Sequence, residues 1–169
     1  MYCEQCQIEM VEREATVKHP YTYDLSGLSN VRLVGITVYT CPRCEVTSPV
    51  IPRIEELHQV IARALVRKPS VLSGEEIRFL RKHAGFPAKK FAALLGVTPE
   101  HLSRVENGHR ESLSASADRL VRAIATTAYD RESARDILLK IADGLEKKSQ
   151  AAELRPLFKL EQNHWKAAA

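Results

Sequence analysis

Phe86-Pro87-Ala88-Lys89-Lys90-Phe91-Ala92-Ala93-Leu94-Leu95-Gly96-Val97-Thr98-Pro99-Glu100-His101-Leu102-Ser103-Arg104-Val105-Glu106-Asn107-Gly108 is the stretch that decides the fold. Pro87 suits the first turn of a helix. That helix turns Phe91, Ala92, Leu94 and Leu95 inward and stops at Gly96. Thr98 then caps a second helix with Pro99 at its first position; its inward residues are Leu102 and Val105, and Gly108 ends it. Two helices crossing at about 90–120° need a small residue where they touch and a glycine in the turn. Ala92 and Gly96 meet those needs. The spacing predicts a helix-turn-helix whose second helix turns Thr98, Glu100, His101, Ser103 and Arg104 outward. In such a unit the N-terminal half of that helix enters the major groove of double-stranded DNA.

Upstream, Ser73 and Glu76 form a capping-box pair that opens a helix carrying Ile77, Leu80 and Ala84 on one face and ending at Gly85. Downstream, Leu113, Ala117, Leu120, Val121, Ile124 and Ala128 make another apolar stripe. A further helix is expected from about Glu132 to Lys147, with Ile137, Leu138, Ile141 and Leu145 on its stripe. The tail beyond Ser149, with Leu154, Leu157, Phe158 and Trp165, fits packing back on the domain, extending a dimer, or a loose end.

All four cysteines fall in two short pairs, Cys3-Glu4-Gln5-Cys6 and Cys41-Pro42-Arg43-Cys44, separated by 34 residues. Two such turns supply four tetrahedral thiolates, the donor set of a structural zinc ion. No secretion signal accompanies them, which disfavours disulfides, and neither pair opens a helix within a βαβ unit, which disfavours a redox site. Four thiolates also fill the coordination shell, so the expected single zinc is structural. Between the pairs, Val11–His19 and Val31–Thr40 read as two or three short strands around turns at Asp24-Leu25-Ser26-Gly27 and Ser29-Asn30. Such a module cannot bury a sizeable core, and zinc makes up the stability. Pro49 and Pro52 precede an amphipathic helix carrying Ile54, Leu57, Val60, Ile61, Ala64 and Leu65, which runs to Val66 or Arg67 and stops before Pro69.

The expected architecture is therefore an α+β zinc-binding module over residues 1–68, an all-α, phage-repressor-like helix-turn-helix domain over 69–130, and a helical C-terminal extension over 131–169. The chain has 169 residues and a formal charge of +4, with 44% hydrophobic and 27% charged residues. Residues 1–68 balance 8 basic against 8 acidic side chains, while 69–130 carry 9 against 7 and 131–169 carry 8 against 6. That excess is too small to argue for nucleic acid by itself. No apolar run approaches the ~20 residues of a membrane span, and the start lacks a signal peptide, so a cytoplasmic protein without a membrane partner is expected. The histidines at 19, 58, 83, 101, 109 and 164 form no recognisable catalytic arrangement. An enzyme is not expected.

The 86–108 stretch resembles the Xre/phage-repressor helix-turn-helix, most specifically in its closing Leu-Ser-Arg-Val-Glu-Asn-Gly run. Together with the two cysteine pairs and Pro20-Tyr21-Thr22-Tyr23, the layout over roughly residues 1–128 resembles the MqsA-type antitoxins. That resemblance implies a homodimer on a palindromic operator, autorepression, and a zinc module that neutralises a small toxin protein. It makes Arg104 the main base reader, with Ser103 and Thr98 on bases or phosphates and Lys89 and Lys90 at the backbone; Glu100 and His101 complete the face. The sequence departs from the pattern at Ala88, where a glutamine is usual, and at Glu100, where the antitoxins carry an amide. A carboxylate accepts from cytosine N4 but repels phosphate, so a different operator is implied. A stand-alone transcription factor without a toxin is the alternative.

Overall fold

The computed structural model describes residues 1–109, 112–128 and 157–168. In the N-terminal part, β1 (Val11–Glu14), β4 (Thr37–Thr40) and β5 (Thr47–Val50) form an antiparallel sheet in the order β1-β4-β5. Val11 lies opposite Thr40, and Thr37 opposite Val50. A second sheet begins with β2 (Tyr21–Thr22) and β3 (Arg32–Val34), with a single 3-10 turn at Asp24–Ser26 between them. Both Leu33 and Val34 are buried, as in a strand covered on two faces.

The remaining strands of that sheet come from the far end of the chain. β6 (Leu157–Glu161) and β7 (His164–Ala168) form a hairpin, and β6 lies parallel to β3 to give the order β2-β3-β6-β7. The expectation of a helical extension over 131–169 is overturned for these residues, while the helix expected near 132–147 lies outside the described residues. The reason is local. Gln162 and Asn163 both take positive φ, 48° and 63°, giving the two-residue turn that joins twisted antiparallel strands. Phe158 and Trp165 point into the core at 0% and 4% exposure. Gly35 admits the hairpin: its φ is +75°, and a Cβ there would stand 2.9 Å from the Leu160 carbonyl oxygen.

Among the described residues five helices follow the first sheet: α1 (Ile54–Arg67), α2 (Gly74–His83), α3 (Ala88–Leu95), α4 (Pro99–Glu106) and α5 (Ala115–Thr127). The start signals act as read. Ser73 and Glu76 form a full capping box on α2, and Thr98 accepts from the His101 amide at the start of α4. Four apolar assignments fail. Ile54, Leu94 and Leu120 are 45%, 49% and 39% exposed and Ala128 is exposed, because the narrower seams of Leu57, Ile61 and Leu65 on α1, of Phe91, Ala92 and Leu95 on α3 and of Ala117, Val121 and Ala125 on α5 suffice to fill the core. Gly74 is a point of close approach: a Cβ there would lie 1.9 Å from the carbonyl oxygen of Val105, so only glycine lets α2 start against the end of α4.

A single buried cluster runs from Ala15, Val31 and Leu33 through Leu57 and Ile61 of α1 to Ile77, Phe91, Leu102 and Val121. α1 is its spine. At its start, Trp165 Nε1 donates to the Pro52 carbonyl at 3.0 Å, and Arg53 donates to the Asn163 carbonyl at 3.1 Å. At its middle, Tyr23 and His58 share a 3.0 Å hydrogen bond, and Phe79 of α2 meets the His58 ring edge-on. At its end, the buried Arg122 of α5 donates to the carbonyls of Val66, Lys68 and Ser70. Phe158→Ala should cost about 3–5 kcal/mol and shift the emission of Trp165, the chain's one tryptophan, towards that of a solvated indole. Urea unfolding followed by fluorescence checks this; an unchanged spectrum and midpoint would mean the hairpin does not dock in solution.

Candidate functional site

Two constellations carry the chemistry, and the first is the cysteine cluster. Each Cys-x-x-Cys folds the same way. The amide of Cys3 donates to Ile8 O and that of Gln7 to Cys3 O; the amide of Cys41 donates to Val46 O and that of Glu45 to Cys41 O. Gln7 and Glu45 both take the left-handed conformation, at φ 54° and 59°, that turns each loop back on itself. The two knuckles place four sulfurs within 4.8 Å of one another, with Cys3 and Cys44 at 3.6 Å. All four thiols are free. Tetrahedral thiolate coordination at a metal–sulfur distance of about 2.3 Å spaces sulfurs about 3.8 Å apart, so the donor set and spacing suit one closed, four-coordinate ion.

The knuckles also prepare the ligands electrostatically. Backbone amides of Cys44 and Arg43 lower the Cys41 thiol to about 6. The neighbouring Cys44 sulfur, with burial, pushes Cys6 up to about 12. A divalent ion finds one thiolate nearly ready at Cys41 and must displace the proton of Cys6. Cys3, Met10 and Cys41 form a small buried cluster of their own, separate from the main core. Beside it, Met1, Tyr2, Gln5, Met10, Val46 and Thr47 line much of a groove of about 380 Å³. Met1 and Tyr2 are 55% and 67% exposed there.

The second constellation is the α3–α4 face. α4 carries Thr98, Glu100, Ser103 and Arg104 exposed, with His101 half-buried, and Leu102 and Val105 face the core as read. Pro99, Glu100, Ser103 and Arg104 line one open depression on it. Lys89 and Lys90 are exposed in the first turn of α3. The exposed Thr98 caps the helix, its hydroxyl oxygen accepting from the His101 amide at 3.2 Å.

Behind this face stands a polar network absent from the sequence reading. Glu106, 6% exposed, takes a bidentate pair from Arg81 at 2.7 and 2.8 Å. Arg78 approaches Glu106 at 3.8 Å and donates to Asn107 Oδ1. Asn107 in turn donates to the Ser103 carbonyl at 2.8 Å and to Ser103 Oγ at 3.2 Å. The signal was available: Leu102, Val105 and Glu106 share one helical face at 3.6-residue periodicity, so Glu106 had to be buried and paired.

Because the cysteine cluster has its own small core, metal removal should melt the knuckles and the first sheet while the helices stay folded. Hydrogen exchange on full-length protein, with and without a strong chelator and on Cys41→Ser, checks this. Loss of protection in α2–α5 as well would show that the metal holds the whole chain together.

Residues 77–128, most of α2 through α5, match the Helix-turn-helix family model. No curated protein and no solved structure matches the chain. No described helix is long and apolar enough to cross a membrane. The match identifies residues 77–128 as a helix-turn-helix domain, joined to an N-terminal region whose four cysteines lie close enough together to hold a metal ion.

Proposed function

We propose that the chain is a sequence-specific transcriptional repressor that binds a palindromic operator as a homodimer and carries one structural zinc on Cys3, Cys6, Cys41 and Cys44. The carrying observation is the outward face of α4, where an exposed Arg104 shares one depression with Glu100 and Ser103 on a family-matched helix-turn-helix. Arg104 is the main base reader: its fork donates two bonds to guanine O6 and N7, a contact worth about 1–3 kcal/mol of discrimination. Glu100 accepts from an exocyclic amine of cytosine or adenine and turns phosphate away. Thr98 and His101 flank these contacts, and Lys89 and Lys90 meet the backbone from α3. Two such faces related by a two-fold axis require half-sites about 34 Å apart. Zinc fills the four-sulfur cluster and adds no reactivity, since no ligand position stays open.

The test is selection from a randomised duplex library, followed by competition binding. Arg104→Ala should flatten the preference at one guanine by roughly tenfold or more and leave non-specific binding nearly unchanged. A uniform loss across all sequences would make Arg104 a phosphate contact.

The groove beside the cysteines favours the antitoxin reading over a stand-alone regulator. Its exposed Met1, Tyr2 and Val46 form an apolar rim suited to a protein partner, here a small toxin whose neutralisation the module performs. Recovery of one small protein at equal stoichiometry from the native host, lost with Tyr2→Ser and Val46→Ser, would support this. No such partner for the intact protein leaves the stand-alone regulator.

A further inference from the structure

The hydroxyl of Ser103 has a fixed polarity, set by a network of polar contacts that begins in the core. Glu106 accepts from Arg81 through both carboxyl oxygens and is faced by Arg78. A guanidinium only donates, so the Asn107 side-chain atom facing Arg78 is its oxygen, which settles the amide orientation. The Asn107 nitrogen therefore faces Ser103 and donates to Oγ at 3.2 Å. That bond occupies a lone pair of the hydroxyl and leaves its proton free. Among the described residues no hydrogen bond uses that proton. Ser103 is exposed and lines the depression shared with Glu100 and Arg104.

We propose that Ser103 is a hydrogen-bond donor to a base-edge acceptor in the major groove, held in that role by Asn107, which is a positioning residue and does not itself touch DNA. The acceptor is of the class of purine N7, guanine O6 or thymine O4, and cytosine, which offers only an amine there, is excluded. The face of α4 then presents an acceptor at Glu100, a donor at Ser103 and a double donor at Arg104. The half-site would hold an amine, a lone acceptor and a guanine within the reach of about one helical turn. This rests on the DNA-reading function proposed above.

The experiment uses the full chain and two exposed-face variants. Ser103→Ala removes the donor without touching the core. Asn107→Asp keeps an acceptor for Arg78 but replaces the nitrogen, so the Ser103 proton turns inward to the new carboxylate. After site selection with the unaltered protein, competition binding is measured against every single-base change in the preferred half-site. Each variant should reduce discrimination at the same position by roughly three- to tenfold, the worth of one neutral hydrogen bond. The preference at the Arg104 guanine should persist, and the double variant should be no worse than either single one. Unchanged preference in Ser103→Ala, a loss spread evenly over all positions (a phosphate contact), or additive effects in the double variant would overturn the relay alone. If the unaltered protein selects no sequence at all, the DNA-reading function falls and the relay with it.

Discussion

A buried guanidinium decides how the two parts of this chain meet. Arg122 is 0% exposed and sits in α5, where Nε pairs with Asp118 Oδ1 at 2.9 Å. Its remaining nitrogens take the carbonyls of Val66, Lys68 and Ser70 at 3.0, 2.6 and 2.7 Å. These are the orphan carbonyls at the end of α1 and the segment after it, which no helix continues to satisfy. Asp118 uses its other oxygen on the Leu72 amide at 3.1 Å. Such a pair is a poor source of net stability, since both ions lose their hydration. What it gives is uniqueness: these four acceptors from three segments must coincide around one planar fork. Removing either partner would strand the other charge at a cost of about 3–5 kcal/mol. The segment from Lys68 to Ser70, at the expected boundary between the two domains, is thereby bolted to the helix-turn-helix domain. Lys68 adds a second fastening, reaching Glu76 at 2.8 Å while Glu76 also closes the capping box of α2.

The same device recurs at the other end of the helical domain. Glu106 on α4 is tied by Arg81 of α2, and Gly74 lets the two helices approach until backbone meets backbone. The orientation of α4 is thus set by a charged bond that tolerates one geometry, where an apolar contact alone would let the helix roll. That matters because side chains on α4 read a base edge only if the helix axis is fixed to within a fraction of an ångström. The chain of contacts from Glu106 through Arg78 and Asn107 carries this rigidity to the surface, to a hydroxyl that would otherwise rotate freely.

Legibility in the sequence followed the range of the interactions. The capping box at Ser73, the cap at Thr98 and the glycine stop at Gly96 are contacts within a few residues, and each stands where local chemistry puts it. The cysteine cluster was equally legible, although it joins residues 41 apart, because thiol pairs at that spacing have few other uses. The hairpin was missed. Its turn at Gln162-Asn163 carried only a weak signal, and its apolar residues at 157, 158 and 160 fit a helix as easily as a strand until the partner β3 is known. Parallel pairing between strands so distant in sequence leaves no local mark. Leu94 and Leu120 were misplaced for the opposite reason: an apolar stripe states which side of a helix can be buried, while the packing partner decides how wide the buried side is. Arg122 and Asp118 stand four residues apart with nothing local to mark them, and burial alone gives them their role.

These unequal ranges explain why the N-terminal region needs two separate supports. β1 is exposed along its whole length, and β2 has two residues, so neither sheet could stand alone in water. The metal-binding knuckles close one sheet at the cysteines through a cluster that does not touch the main core. The hairpin completes the other sheet through Phe158 and Trp165, which belong to that main core together with Leu57 and Ile61 of α1. The two supports are therefore energetically unlike. Disturbing the knuckles reaches α1 only through the strand that leads into Cys41, where Val38 of β4 shares the main core with Leu57 and Ile61. Disturbing the hairpin reaches the start of α1 through Pro52, Arg53 and Glu56, and the far end of that helix is what Arg122 grips. In this fold the last twelve described residues join Val31, Leu33 and Val38 in the core that continues into the helix-turn-helix, while the cysteines at the beginning stand outside it.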